Sequence, residues 1–271
     1  MKNFKISCVQ IASGPNVEAN LLEVSKYIKK SKKLGANIVV LPENFAMMCE
    51  DDSLYLDIKE NLGSGRIQDY ISNEARKHNI WIVAGTIPIA SKKVDKVYSC
   101  CIVFNNSGDI VSSYNKIHLF DVNIVETNEK YRESDYFLNG DSTAYVDTPF
   151  GRIGLAVCYD LRFPELFRRL SSQNIDLVCM PAAFTSFTGK AHWEHLIKAR
   201  AIENLIYFAS SAQGGYHVSG RETYGHSMIV NPWGETLDVI KNKAGVIVST
   251  IDIHSLKKLR KNFPCLEHKK I

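Results

Sequence analysis

The 271-residue chain has no long apolar run, since none approaches the roughly 20 consecutive residues that a bilayer-spanning helix requires. Residues 1–5 lead directly into a strand-like pattern, and they lack the hydrophobic stretch and small-residue cleavage site of a signal peptide. We therefore expect no association with a membrane, and we expect the protein to reside in the cytoplasm.

The chain also has little excess charge. Its 33 lysines and arginines against 29 aspartates and glutamates leave a formal net charge of +4. That excess is too small to indicate a nucleic-acid-binding surface, and no nucleic-acid-binding motif accompanies it, so nucleic acid is not expected as a partner. The hydrophobic fraction of 45% is ordinary for a globular protein. One large α/β domain covering residues 1–271 is therefore expected.

The cysteines exclude two further classes of protein. The seven cysteines are an odd number, and they form neither a C-x-x-C pair nor a Cys/His cluster with zinc-site spacing. We therefore expect no zinc site or other metal site and no disulfide framework. Free thiols in a reducing compartment are the simplest account of this cysteine usage.

The order of predicted elements repeats once along the chain. The first half is predicted to run strand (4–12), helix (17–34), strand (38–42), helix (67–78), strand (80–87) and hairpin (98–114). Residues 177–184 and 224–235 repeat the patterns of residues 38–45 and 98–109, with Pro-x-x-Phe and Tyr…Gly in matched places. We infer two related β-α-β-α-β-β halves with packed sheets and outer helices, a four-layer α-β-β-α sandwich of the α/β class.

Two reactive side chains follow buried strands. Glu43 comes directly after the strand 38–42, where the second half has Ala182. A carboxylate at the end of a buried strand is costly unless it is paired or used, although it also suits a helix cap. Cys158 ends the apolar run 153–157, before a polar turn and a helix that begins near Pro164. A thiolate can be stabilised there, whereas on spacing alone an inert core thiol is the simpler reading.

Two further residues gain meaning only from their neighbours. Lys116 ends the second strand of the predicted hairpin, and alone it reads as a surface lysine. Glu133 lies in the loop 121–140, which lacks periodicity, and alone it reads as solvent-exposed. Loops of this length in compact domains are usually functional, which draws attention to Glu133.

Three ordered motifs make the chain recognisable: Leu41-Pro42-Glu43, residues 116–120 (KIHLF) and residues 154–165 (GLAVCYDLRFPE). With them the sequence resembles the nitrilase superfamily of carbon–nitrogen hydrolases over residues 4–268, nearly the whole chain. The resemblance implies the same α-β-β-α sandwich and a homodimer formed through residues 163–170.

The resemblance also implies a catalytic set. Members of the superfamily use a Glu-Lys-Cys triad, often with a second glutamate in the loop after the lysine. These roles fall on Glu43, Lys116 and Cys158, with Glu133 as the second glutamate. Glu43 would act as general base, and Cys158 would attack an amide carbonyl to form a thioester with release of ammonia. No cofactor is implied.

The backbone N–H of Tyr159 is expected to share the developing oxyanion with Lys116. Arg162 is a candidate to bind a substrate carboxylate with both guanidinium nitrogens, and the equal alternative is a salt bridge to Glu165 or Asp160. Hydroxyls for the substrate are expected from Thr185 and Thr188, for which loop capping is as good a reading.

The second half is most similar to the Nit-type amidases, through residues 184–194, 200–204 and 224–234. That branch includes ω-amidases and deaminated glutathione amidases, and residues 212–217 and 221–224 favour the latter. We expect a small carboxylate-bearing amide as substrate, deaminated glutathione or a related 2-oxo amide. The alternatives are an ω-amidase for 2-oxoglutaramate or 2-oxosuccinamate, an N-carbamoyl or nitrile hydrolase, and a non-catalytic interaction or thiol-sensing protein on the same scaffold.

Overall fold

The computed structural model of the protein describes residues 3–241 and 243–270. The helices within these ranges are α1 (Val17–Lys33), α2 (Arg66–His78), α3 (Pro164–Ser172), α4 (Ser186–Asn204) and α5 (Ile253–Asn262). Short 3₁₀ turns span Asp52–Leu56, Val125–Thr127, Glu133–Asp135 and Cys158–Arg162. The strands are β1 (Phe4–Gln10), β2 (Ile38–Val40), β3 (Trp81–Ala90), β4 (Val97–Phe104), β5 (Ile110–Asn115), β6 (Asp121–Ile124), β7 (Glu129–Arg132), β8 (Ala144–Thr148), β9 (Gly151–Leu155), β10 (Leu177–Ala182), β11 (Tyr207–Ala212), β12 (Gly214–Tyr216), β13 (Glu222–Tyr224), β14 (Met228–Val230), β15 (Thr236–Val239) and β16 (Gly245–Ile251).

Helix α1 shows how the sequence specifies these elements. The Asn16 side chain accepts a hydrogen bond from the Ala19 N–H at 3.1 Å, which satisfies one of the unpaired donors at the helix start. Leu21, Val24 and Ile28 recur at helical spacing and are fully buried. Beyond the last turn Gly35 adopts a φ of +87°, a conformation that glycine reaches without strain.

The two main sheets have the same topology. The first has the strand order β16-β1-β2-β3-β4-β5, and the second has the order β15-β14-β11-β10-β9-β8. In each sheet three parallel strands (β1-β2-β3 and β9-β10-β11) continue into an antiparallel pair. The predicted duplication is therefore visible as a repeated connection order, and each sheet adds one antiparallel edge strand beyond the repeat, β16 or β8.

The hairpin turns of the two halves match in detail. In the first half the Gly108 N–H donates to the Asn105 carbonyl at 3.0 Å, and in the second the Gly234 N–H donates to the Asn231 carbonyl at 2.9 Å. Both glycines are left-handed, with φ values of +80° and +84°. A common turn geometry explains why glycine recurs at the same place in the two halves.

The buried side chains form the layers of the sandwich. On β2, Ile38 and Val40 pack into a core shared with the second sheet, while Val39 faces the core beneath α1 and α2. This alternation follows from the two-residue period of a strand. Helices α3 and α4 cover the outer face of the second sheet through Phe167 and Trp193. The four-layer α-β-β-α arrangement predicted from the sequence is thus confirmed.

Two further observations bear on the sequence predictions. The loop 121–140 is more regular than its lack of periodicity indicated, because β6 and β7 pair as a small antiparallel hairpin followed by the 3₁₀ turn Glu133–Asp135. Across residues 3–241 and 243–270, none of the helices combines the length and the apolar character that crossing a membrane demands.

Candidate active site

The side chains of Glu43, Lys116 and Glu133 meet in one pocket, which Cys158 also lines. The Lys116 ammonium lies 2.9 Å from Glu43 Oε1 and 2.8 and 2.9 Å from the two oxygens of Glu133. Glu43 and Lys116 are almost fully buried. The structure therefore brings together the four residues that the sequence placed on separate elements.

Glu43 reaches the pocket because of how β2 ends. Asn44 turns the chain with a left-handed φ of 55°, and Gly85 of the neighbouring strand passes so close that a Cβ there would lie 2.0 Å from the Pro42 carbonyl oxygen. The Gln213 side-chain amide, from the second half, donates to the Glu43 carbonyl at 2.9 Å. The backbone that carries Glu43 is therefore held by both halves.

Cys158 stands on a strained turn. It opens the 3₁₀ turn after β9 with a φ of 45°, a conformation that is uncommon for a residue with a side chain. Only 8% of the residue is exposed. Glu43 and Ala183 line the same pocket as Cys158. The turn thus presents Sγ to the pocket and to Glu43 rather than to bulk water.

Asp160 connects the turn that carries Cys158 (the cysteine turn, Cys158–Arg162) to the segment 116–120 that begins with Lys116 (the lysine loop). Its Oδ2 accepts from the Val157 N–H and from the Tyr114 hydroxyl, each at 2.8 Å. Its Oδ1 lies 3.1 Å from the His118 N–H and 2.6 Å from His118 Nδ1. A fully buried carboxylate with this many partners fixes the relative position of its neighbours. The sequence suggested Asp160 only as an alternative partner for an arginine, so this connecting role was missed.

The charges in the pocket set the protonation states. Burial lowers the pKa of Lys116, but the charges of Glu133 and Glu43 outweigh that effect and raise the pKa well above its ordinary value. Burial, followed by the charge of Glu43, raises the pKa of Cys158 well above that of a free thiol, against the smaller effect of Lys116. At neutral pH Cys158 is therefore expected to be a thiol and not the thiolate that the strand-end position suggested.

The second carboxylate has its own partners. Burial raises the pKa of Glu133, against the opposing charge of Lys116. Its Oε2 accepts from the Phe120 N–H at 2.6 Å, so the loop as well as the ammonium orients it. The solvent-exposed position that the sequence alone suggested for Glu133 is not observed, because the lysine loop folds over the carboxylate.

Three other predicted residues line the same pocket: Tyr159, Thr185 and Thr188. The two threonine hydroxyls lie 2.7 Å apart and share a hydrogen bond. Tyr159 is the second residue of the cysteine turn, so its N–H has no acceptor within that turn. A substrate oxygen near Sγ is the natural acceptor for this donor.

Arg162 lies elsewhere. It does not belong to the pocket lining, and within the described part of the chain it forms no salt bridge with Glu165 or Asp160. Its guanidinium instead stacks over the ring of Phe184, 5.2 Å from the centroid, and approaches His192 Nδ1 at 3.3 Å. Asp160 is occupied by Tyr114 and His118, as described above, which explains why it does not pair with Arg162. The binding of a substrate carboxylate by Arg162 stays a prediction.

The pocket also contains residues that the sequence analysis missed: Asn44, Asp52, Tyr55, Phe120, Tyr131, Phe137, Ala183, Phe184 and Arg221. Asp52 and Arg221 bring opposite charges to it, and burial raises the pKa of Asp52. These residues come from strands, turns and loops far apart in the sequence. Several lie inside motifs that carried the resemblance, Phe120, Phe184 and Arg221 among them, but no motif indicated that their side chains reach the pocket. Over residues 3–241 and 243–270 no group of His, Cys, Asp and Glu has an arrangement suited to a metal ion.

Comparison with known proteins gives a consistent result. Residues 5–261 match the model of the carbon-nitrogen hydrolase family. A protein of Yersinia enterocolitica named deaminated glutathione amidase is 37% identical over 99% of this chain and 93% of its own length. A Synechocystis protein of the same name is also 37% identical, over 99% of both chains.

The fold is similar to that of solved structures as well. The crystal structure of the C. elegans NitFhit protein superimposes with a TM-score of 0.91 at 32% sequence identity. The match covers 99% of this chain but 65% of that one. The likeness therefore concerns one part of a longer protein.

Proposed function

Because the chain belongs to the carbon–nitrogen hydrolase family and is an amidohydrolase, we propose that it hydrolyses deaminated glutathione or a closely related 2-oxo amide. The observation that carries the proposal is the cluster in which Glu43 and Glu133 share the Lys116 ammonium in the pocket lined by Cys158. Relatives that cover nearly the whole chain bear the name deaminated glutathione amidase, which supports this substrate over the smaller ω-amidase substrates.

The first half-reaction uses the thiol. Glu43 accepts the proton of Cys158 as Sγ attacks the amide carbon, so the proton transfer and the formation of the carbon–sulfur bond occur together. The oxygen of the tetrahedral intermediate becomes negative, and Lys116 and the Tyr159 N–H are the donors placed to stabilise it. Removal of one such donor costs about 10²–10³ in rate in comparable enzymes.

The intermediate collapses when Glu43 returns the proton to the amide nitrogen, which breaks the carbon–nitrogen bond and leaves a thioester on Cys158. The leaving group is ammonia for a primary amide such as 2-oxoglutaramate, whereas the substituted amide of deaminated glutathione releases an amine, cysteinylglycine. Water activated by Glu43 then attacks the thioester. The carboxylic acid product is released, and the Cys158 thiol is restored.

Glu133 acts by position. Its two oxygens hold the Lys116 ammonium at 2.8 and 2.9 Å, and the Phe120 N–H holds the carboxylate in turn. Lys116 therefore stays charged and correctly aimed while Glu43 changes protonation state. We assign Glu133 to orienting Lys116 and the substrate amide rather than to carrying the proton.

Several features of the proposal extend beyond the family assignment. We propose a cytoplasmic enzyme, a single domain over residues 1–271, and a homodimer through residues 163–170. A non-catalytic protein on this scaffold is the weaker alternative, because it would have no reason to retain two carboxylates, an ammonium and a thiol together in one pocket.

The substrate is tested by comparing kcat/KM for deaminated glutathione and for 2-oxoglutaramate, with Cys158→Ala as the inactive control. We expect the larger substrate to be preferred. A clear preference for 2-oxoglutaramate would assign the protein to the ω-amidase alternative, and absence of turnover with both would contradict the proposal.

A further inference from the structure

Arg221 lines the same pocket as the carboxylates of Asp52, Glu43 and Glu133. Its Nη2 donates to the Ala183 carbonyl at 2.6 Å, and its guanidinium lies 5.0 Å from the centroid of the Tyr131 ring. Its Nε is buried and has no hydrogen-bond partner within residues 3–241 and 243–270. In the same ranges no carboxylate forms a salt bridge with it.

Two other arginines, the buried Arg200 and the half-buried Arg260, have acceptors within the protein. Arg200 donates Nε to the Leu161 carbonyl at 3.1 Å and pairs with Glu203 at 3.0 Å. Arg260 donates to the carbonyls of Leu205 and Ile175. Arg221 as a whole is half-buried, but its Nε is buried without an acceptor. Because a buried donor without an acceptor is costly, its presence in the pocket points to a ligand that supplies the acceptor.

The location of Arg221 indicates which kind of ligand it binds. Ala183 lines the pocket together with Cys158, and its carbonyl accepts a hydrogen bond from Arg221 Nη2. The guanidinium is thus held at a fixed position relative to the nucleophile. The other pocket cation, Lys116, is already bound by two carboxylates, so an anionic substrate has Arg221 as its available counter-charge.

We propose that Arg221 binds the carboxylate on the acyl portion of the substrate and so determines the preference for carboxylate-bearing amides. The assignment rests on the proposed amidase function. A carboxylate accepts two parallel hydrogen bonds from a guanidinium, which fits the donors that Arg221 leaves unused. Because the acyl portion remains on Cys158 after the first half-reaction, the same contact would also orient the thioester for attack by water.

The test compares two substrates in several variants. We measure kcat/KM for 2-oxoglutaramate, whose only carboxylate is on the acyl portion, and for butyramide, a neutral amide. Arg221→Gln should lower the ratio of the two values about 100-fold, as expected for the loss of a charge-assisted pair, and Arg221→Lys should recover part of it. Arg162→Gln tests the competing carboxylate binder that the sequence suggested, and it should keep the wild-type ratio if Arg221 is the binder. An equal loss on both substrates in Arg221→Gln would overturn the proposal, as would a collapse of the ratio in Arg162→Gln.

A binding measurement removes the dependence on turnover. In a Cys158→Ala background, calorimetry should detect binding of 2-oxoglutarate, the acyl product, and adding Arg221→Gln should abolish it while the melting temperature confirms folding. Retained affinity in the folded double variant would refute the role of Arg221. If deaminated glutathione is not hydrolysed but this binding and the substrate ratio still depend on Arg221, the proposed substrate fails and the carboxylate site stands.

Discussion

The replacement Glu43→Gln separates two effects that one carboxylate exerts on Cys158. The amide keeps the shape of the side chain and a hydrogen bond to the pocket, but it can no longer accept a proton or repel a thiolate. If Glu43 is the general base, kcat/KM should fall by about 10²–10⁴. The fall is measured by product release under steady-state conditions.

The same replacement should make the sulfur more reactive toward alkylation. Besides burial, the charge of Glu43 is the main cause that raises the pKa of Cys158, whereas Lys116 lowers it. Removing the carboxylate leaves the ammonium beside Sγ, so the thiolate fraction at neutral pH should increase. The rate of iodoacetamide labelling at Cys158, followed by peptide mass spectrometry, should therefore rise while turnover falls.

The pH dependence of labelling tests the direction of the Cys158 pKa shift independently. An ordinary cysteine thiol has a pKa of about 8.5. Because the pKa of Cys158 is raised, the labelling rate of the wild type should keep rising above that pH. In Glu43→Gln the profile should shift to lower pH. Glu133→Gln is the control and should change labelling less, because its carboxylate pairs with Lys116 and not with the sulfur. If Glu43→Gln slowed labelling and turnover together, Glu43 would be a structural support for Cys158 and not its base.

Two further replacements test the framework of the site. Asp160→Asn replaces one buried acceptor oxygen with an NH2 donor, which then faces the donors of Tyr114 and Val157 or of His118. The unmet groups should cost about 1–3 kcal/mol of stability, and an unchanged unfolding free energy in urea would show that the network does not support the fold. Gly85→Ala places a Cβ 2.0 Å from the Pro42 carbonyl oxygen at a left-handed φ of +44°. The clash should displace the backbone that carries Glu43 and so lower both the melting temperature and kcat. A variant with wild-type values for both would refute the role of this close approach.

The sequence predicted the fold well because its signals are periodic. Strand and helix patterns extend over many residues, and the duplicated Pro-x-x-Phe and Tyr…Gly spacings required the two halves to share a topology. The strand order β1-β2-β3-β4-β5 and its counterpart β9-β10-β11-β14-β15 agree with that reading. Strands β8 and β16 were not predicted, because they lie outside the duplicated pattern and a strand pattern alone does not show which sheet edge the strand joins.

The site was predictable only in part, for a physical reason. Glu43 and Cys158 each follow the carboxyl end of a parallel strand, β2 in the first sheet and β9 in the second, so position along the chain indicated where they lie. Arg162 and Arg221 sit on turns and loops whose direction depends on tertiary packing, and the sequence does not encode it locally. The protonation of Cys158 likewise depends on burial and on the distant Glu43, which a helix N-terminus argument does not include.

The central claim is that Cys158 carries the acyl group during turnover. Intact-protein mass spectrometry of acid-quenched reactions, followed by peptide mapping, tests it most directly. The account predicts an adduct with the mass of the substrate acyl group on the peptide that contains Cys158, and neither adduct nor turnover in Cys158→Ala. Turnover that persists in Cys158→Ala, or an acyl adduct on another cysteine, would contradict it.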